Sequence, residues 1–138
     1  MNNNYKLLHV SEEDLSNKIL IPRIPKNCWF IDNGYEDNKT PRICVARTID
    51  NCLTAIGDDI KDMILNVYAL EKVEEELIIK KPSKEEVPDV EVTNELWVLN
   101  KAKCKFLFKI KVGNVIEELN YILDGKLYTA WKWNYEII

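Results

Sequence analysis

The chain has 138 residues, 46% of them hydrophobic, and a formal net charge of −4. That length allows one domain with its own core and leaves no room for a second, and the apolar content excludes a disordered polar chain. The acidic balance weighs against a general nucleic-acid binder, which normally carries excess positive charge.

Tyr5 to Val10 reads as a first strand. Ser11-Glu12-Glu13-Asp14 reads as a helix start or a turn, with Ser11 able to cap and acids in the first turn. Lys18 to Ile21 is a short strand that runs into Pro22-Arg23-Ile24-Pro25, where two prolines impose extended backbone. Lys26 to Pro41 is a long polar loop with Cys28-Trp29-Phe30 and the turn residues Asp32-Asn33-Gly34. Loops of that length in small domains often carry function.

Arg42 to Ala46 is a compact strand. A helix follows to about Ile56, capped by Thr48, with Ile49, Cys52, Leu53 and Ile56 on one face and Gly57 at its end. Met63 to Leu70 is another strand. Glu71 to Glu91 is an acidic connection that alone accounts for the net charge, with a short strand at Leu77 to Ile79 and two prolines that exclude a continuous helix.

Thr93 to Val112 reads as two strands in quick succession. Leu96 to Leu99 is apolar on both faces, with Glu95 at its mouth. Then Cys104, Phe106, Phe108 and Ile110 alternate with lysines, which places the four apolar residues on one buried face. Val115 to Leu123 and Leu127 to Ile137 form a hairpin closed by Asp124-Gly125. The expected fold is α+β: a single domain of two packed, mostly antiparallel sheets with one or two helices.

Cysteines at 28, 44, 52 and 104 and a lone histidine, His9, match no zinc-ligand spacing and read as reduced buried thiols. The start, Met-Asn-Asn-Asn-Tyr, has neither the cationic opening nor the apolar core of a secretory signal, and no apolar run approaches a membrane span. A cytoplasmic protein with no membrane partner is expected.

Three polar residues stand at strand ends or on stiff backbone: His9, Arg23 and Glu95. An arginine held between prolines suits a phosphate, because its fork binds two oxygens. In this context Leu7-Leu8-His9-Val10-Ser11 resembles the first strand of ADP-ribosyltransferases of the diphtheria-toxin and poly(ADP-ribose) polymerase group, which ends in His-Gly. Ile19 to Pro25 resembles their next segment, Ile43-Cys44-Val45-Ala46 their Ile-Tyr-Phe-Ala strand, and Asn94-Glu95-Leu96-Trp97-Val98 their Asn-Glu-aromatic strand. Order and spacing agree over residues 5 to 112.

The resemblance implies an ADP-ribosyltransferase-like domain that uses NAD as substrate. It implies His9 on the adenosine ribose, the Val10 backbone on the nicotinamide amide and Arg23 at the diphosphate. Glu95 would take the 2′-hydroxyl of the nicotinamide ribose, where a carboxylate stabilises an oxocarbenium-like state. Glu95 and His9 would be the catalytic pair. Cys44 stands where the family has a stacking tyrosine and Cys52 where many members place a serine, so both would face nicotinamide, with Trp29, Phe30 or Tyr35 of the long loop supplying an aromatic.

The implied function is mono-ADP-ribosylation of a macromolecular acceptor, a protein in preference to nucleic acid. A stand-alone acidic transferase of this size suits a bacterial or phage effector by association. The replaced tyrosine carries the alternative, an inactive module that binds NAD, ADP-ribose or a protein. Two further readings are a Cys–His hydrolase using Cys44 or Cys52 with His9, and a nucleic-acid face built from Lys101, Lys103, Lys105, Lys109 and Lys111 with Trp131 and Trp133.

Overall fold

A computed structural model of the chain describes residues 7–24, 30–31, 34–35, 39–56, 59–123 and 125–138. Its strands are β1 (Leu8–Ser11), β2 (Ile19–Leu20), β3 (Phe30–Ile31), β4 (Gly34–Tyr35), β5 (Ile43–Val45), β6 (Ile64–Lys72), β7 (Ile79–Lys80), β8 (Leu96–Val98), β9 (Ala102–Leu123) and β10 (Lys126–Ile137). The helices are α1 (Ile49–Ile56) and α2 (Val90–Thr93). No helix among the described residues is long and apolar enough to cross a membrane.

The larger sheet is antiparallel, in the order β1-β6-β9-β10, with β2 paired to β9 beside the start of that strand. β6 is its centre, buried on both faces from Leu65 to Leu70. One face packs Leu65, Val67, Ile110 and Val112 against Cys52 and Leu53 of α1 and against Trp133. The other packs Tyr68, Leu70 and Cys104 against Ile43, Val45 and Val98 of the smaller sheet, whose order is β5-β8-β7. β3 and β4 pair antiparallel as a separate two-stranded sheet inside the long polar loop.

The smaller sheet buries both faces. Its outer face carries Cys44 and Trp97, covered by Val87 and Val90 from the segment that forms α2. Trp97 is fully buried, with the Arg42 guanidinium 4.2 Å from its ring centroid. Asn94 takes a left-handed conformation at φ 54°, and its N–H donates to Val90 O. Asparagine tolerates that geometry better than most residues. The turn ends α2 and sets Glu95 at the mouth of β8.

One expectation fails for an identifiable reason. The period-two pattern put Cys104, Phe106, Phe108 and Ile110 on one face. In β9, Val67 pairs with Phe108 and the adjacent Tyr68 pairs with Phe106, so Leu107 is an extra residue. Such a bulge flips every side chain beyond it. Cys104 therefore joins the core under the smaller sheet and Ile110 the core under α1. The lysines split too: Lys103 and Lys105 face one way, Lys109 and Lys111 the other. Nor is β9 the sheet neighbour of β8, since the two consecutive strands enter different sheets.

Smaller differences have local causes. Ser11 caps no helix; its Oγ accepts from Glu13 N in a turn, and Asp14 does the same for Ser16 N. The strand expected over 115–123 is the far end of β9, continuous from Ala102. The helix after Ala46 is as expected, with Thr48 Oγ1 accepting from Asn51 N at 3.1 Å. Gly125, at φ 81°, turns the final hairpin, which needs a residue free of Cβ strain.

Candidate functional site

The outer edge of β5 holds the site together. Ala46 exchanges two backbone hydrogen bonds with Leu8 of β1, and Arg42 exchanges two with Arg23. Between them, the Cys44 carbonyl accepts from Nδ1 of His9 at 2.9 Å. A side chain thus stands where a third ladder pair would be, and β1 leaves β5 after one pair. A cleft of about 640 Å³ opens there, lined by His9, Glu13, Ile19, Ile21, Arg23 and Cys44 among others. Small-molecule sites run to about 300–1,000 Å³.

The cleft wall is rigid without being helix or strand. The chain from Ser11 to Ser16 crosses the face of the larger sheet. Tyr68 Oη donates to Glu13 O at 2.8 Å and accepts from Leu15 N at 2.7 Å. Asn66 Nδ2 donates to the same Glu13 carbonyl at 3.1 Å. Both side chains come from β6, and Tyr68 is fully buried. Each bond satisfies a backbone group that has no ladder partner.

Nδ1–H donation to a carbonyl fixes the His9 tautomer, leaving Nε2 as an acceptor. Burial holds the imidazole below its ordinary value of 6.5; the Cys44 carbonyl opposes this and the charge of Arg23 adds to it. His9 is therefore neutral at pH 7. Arg23 is exposed, between Pro22 and Ile24.

Glu95 reaches the same residue by another route. Its Oε2 accepts from Trp97 Nε1 at 2.6 Å and from Cys44 Sγ at 3.7 Å. Burial pushes its carboxyl above 4.5, against the Trp97 hydrogen bond and the charge of Arg42, while the charge of Asp89 adds to the rise. His9 and Glu95 thus meet at Cys44, one on its carbonyl and one on its thiol. The cleft lining includes His9, Arg23 and Cys44 but not Glu95, which stands behind the Cys44 side chain.

The other expected residues divide. Val10 pairs with Val67 at a position whose backbone groups point away from β6, because the bonded partners of β6 are Leu7 and the residues two and four after it. Val10 N–H and C=O therefore face the edge that Leu8 shares with Ala46. Cys52 is buried in the core, its Sγ donating to Leu8 O at 3.5 Å, and burial pushes its thiol up to about 12. Trp29 lies outside the described residues.

Two rival readings lose their geometry. The imidazole engages the carbonyl of Cys44, not its thiol, and Cys52 is shut in the core, so no thiolate–imidazole pair forms. The lysines of β9 occupy both faces and Trp133 is buried, so they make no single nucleic-acid surface. Sequence reasoning missed Glu13, Asn66 and Tyr68. The one available signal was a polar asparagine inside an apolar strand, which had to find a partner. Among the described residues no group of His, Cys, Asp or Glu could hold a metal ion. No family model, curated protein or solved structure matches this chain.

Proposed function

We propose that this protein is an NAD-dependent mono-ADP-ribosyltransferase with an ADP-ribosyltransferase-like fold, acting on a protein acceptor. The observation that carries the reading is the convergence of His9, from the larger sheet, and Glu95, from the smaller one, on Cys44 beside a cleft that also holds Arg23.

Each group has work it is suited to. Nε2 of neutral His9 accepts a hydrogen bond from a ribose hydroxyl. Arg23, on proline-stiffened backbone, takes the diphosphate through its fork. The outward N–H and C=O of Val10 match the amide of nicotinamide, which has one donor and one acceptor edge. Glu95, once ionised, accepts from the ribose 2′-hydroxyl and stabilises the charge that grows as the nicotinamide–ribose bond breaks. The cationic nicotinamide ring favours that ionised form. With no tyrosine ring at position 44, nicotinamide packs on a thiol, which stacks less well than a phenol.

A second reading has its own observation. Glu95 Oε2 is already engaged by Trp97 and Cys44, as befits a structural carboxylate in a module that binds NAD or ADP-ribose without turning it over. Calorimetric titration with NAD tests what the two readings share. Saturable binding that weakens in both His9→Ala and Arg23→Ala supports them, and no binding by the wild type removes both.

A further inference from the structure

The mouth of the cleft is two-sided. One wall is the pinned turn, where Glu12 and Glu13 are both exposed and Glu13 lines the cleft. Neither makes an ion pair among the described residues. The charges of Lys18 and Lys109 act on the neighbouring Asp14. Their backbone is held by buried Tyr68 and by Asn66, so the turn that carries the two carboxylates is fixed.

The facing wall is aliphatic. Ile19 is 51% exposed, Ile21 72% and Ile24 42%. Ile19 and Ile21 give this wall an open apolar surface, while Ile24 lies beyond the cleft lining. Ile19 and Ile21 line the cleft with His9 and Arg23. Arg23 and Lys18 are exposed cations on this side, and a bound diphosphate covers Arg23 and adds negative charge to the mouth.

We infer that the cleft mouth docks a protein segment in which basic residues alternate with aliphatic ones, the basic side chains meeting Glu12 and Glu13 and the aliphatic ones lying on Ile19 and Ile21. The inference rests on the transferase reading for its role, since it describes the acceptor of that same site. Charge complementarity selects this occupant. An acidic segment meets two carboxylates and the dinucleotide's own charge, and a nucleic acid meets the same repulsion while finding no aromatic surface on the isoleucine wall.

The test uses short fluorescent peptides that alternate leucine with lysine, leucine with glutamate, or serine with lysine, followed by anisotropy at low salt with NAD present and absent. The leucine–lysine peptide is expected to bind roughly tenfold tighter than either of the others. The Glu12→Lys, Glu13→Lys double variant then favours the leucine–glutamate peptide, and Ile21→Ser weakens both leucine peptides. These side chains are exposed, and an unchanged thermal melt verifies each variant. Equal binding of all three peptides, a preference that survives the double charge reversal, or displacement by a single-stranded oligonucleotide overturns the inference. Calorimetry with NAD on the same preparations separates the two claims. Peptide discrimination without NAD binding removes the transferase reading and leaves the docking surface, and NAD binding without discrimination does the reverse.

Discussion

Nδ1 of His9 lies 2.9 Å from the carbonyl oxygen of Cys44 and fills the gap where β1 parts from β5. The contact fixes a tautomer and burial fixes a charge state. Because His9 is the one histidine in the chain, its ring nitrogens need no assignment in an NMR spectrum. The expected result is a neutral Nδ1–H form with a titration midpoint below 6.5. An Nε2–H tautomer, or a midpoint above 6.5, contradicts the geometry.

The same shift has a sign in stability. Between the lowered folded value and 6.5, the unfolded chain binds more protons at His9 than the folded one, so stability rises with pH across that window. Urea melts of wild type and His9→Gln are therefore expected to diverge below pH 6.5, with the wild type losing ground as pH falls. Parallel curves through that window sink the prediction.

Glu95 runs the other way. Its folded value is raised, so the folded state holds the extra proton above 4.5, and stability falls as pH rises through that folded value. Glu95→Gln removes the dependence. Its stability relative to wild type is expected to climb from pH 4.5 upward and then level off. A relative stability that declines with rising pH says that the carboxylate is paired more strongly than it is desolvated.

Tyr68→Phe keeps the ring in the core but strips two hydrogen bonds from the cleft wall, leaving Glu13 O with Asn66 and Leu15 N with no partner. The expected loss is about 1–3 kcal/mol in urea unfolding. Faster hydrogen exchange at the Leu15 amide is expected with it. Unchanged exchange there means that Tyr68 does not hold the wall.

The thiols should differ in reactivity. Cys52 is pushed up to about 12 and Cys104 to about 11 by burial, whereas Cys44 is partly exposed. Brief iodoacetamide treatment of the native protein at about pH 8 is expected to label Cys44 ahead of these two. Equal labelling of Cys52 contradicts its burial on the inner face of α1.

Much of the fold was legible because local signals and burial agree. Thr48 caps the helix that it announces, and Gly125 turns the chain after β9, while Asp124 lies outside the described residues. The face of β9 was not legible: a bulge at Leu107 leaves the apolar pattern intact while moving Ile110 to the opposite core. At the site, His9, Arg23 and Cys44 read from sequence do share a cleft, while Glu95 reaches it only through the Cys44 thiol. The cleft wall was hidden, since the partners of Glu13 and Leu15 lie 53 to 55 residues away along the chain.

The proposed chemistry is tested most directly by release of nicotinamide from NAD, measured for wild type and Glu95→Gln alongside the binding of NAD to each. Wild type is expected to release nicotinamide, and Glu95→Gln to bind NAD comparably while its rate falls by roughly a hundredfold or more. Equal rates in the two, or NAD binding with no release by either, contradicts a catalytic Glu95.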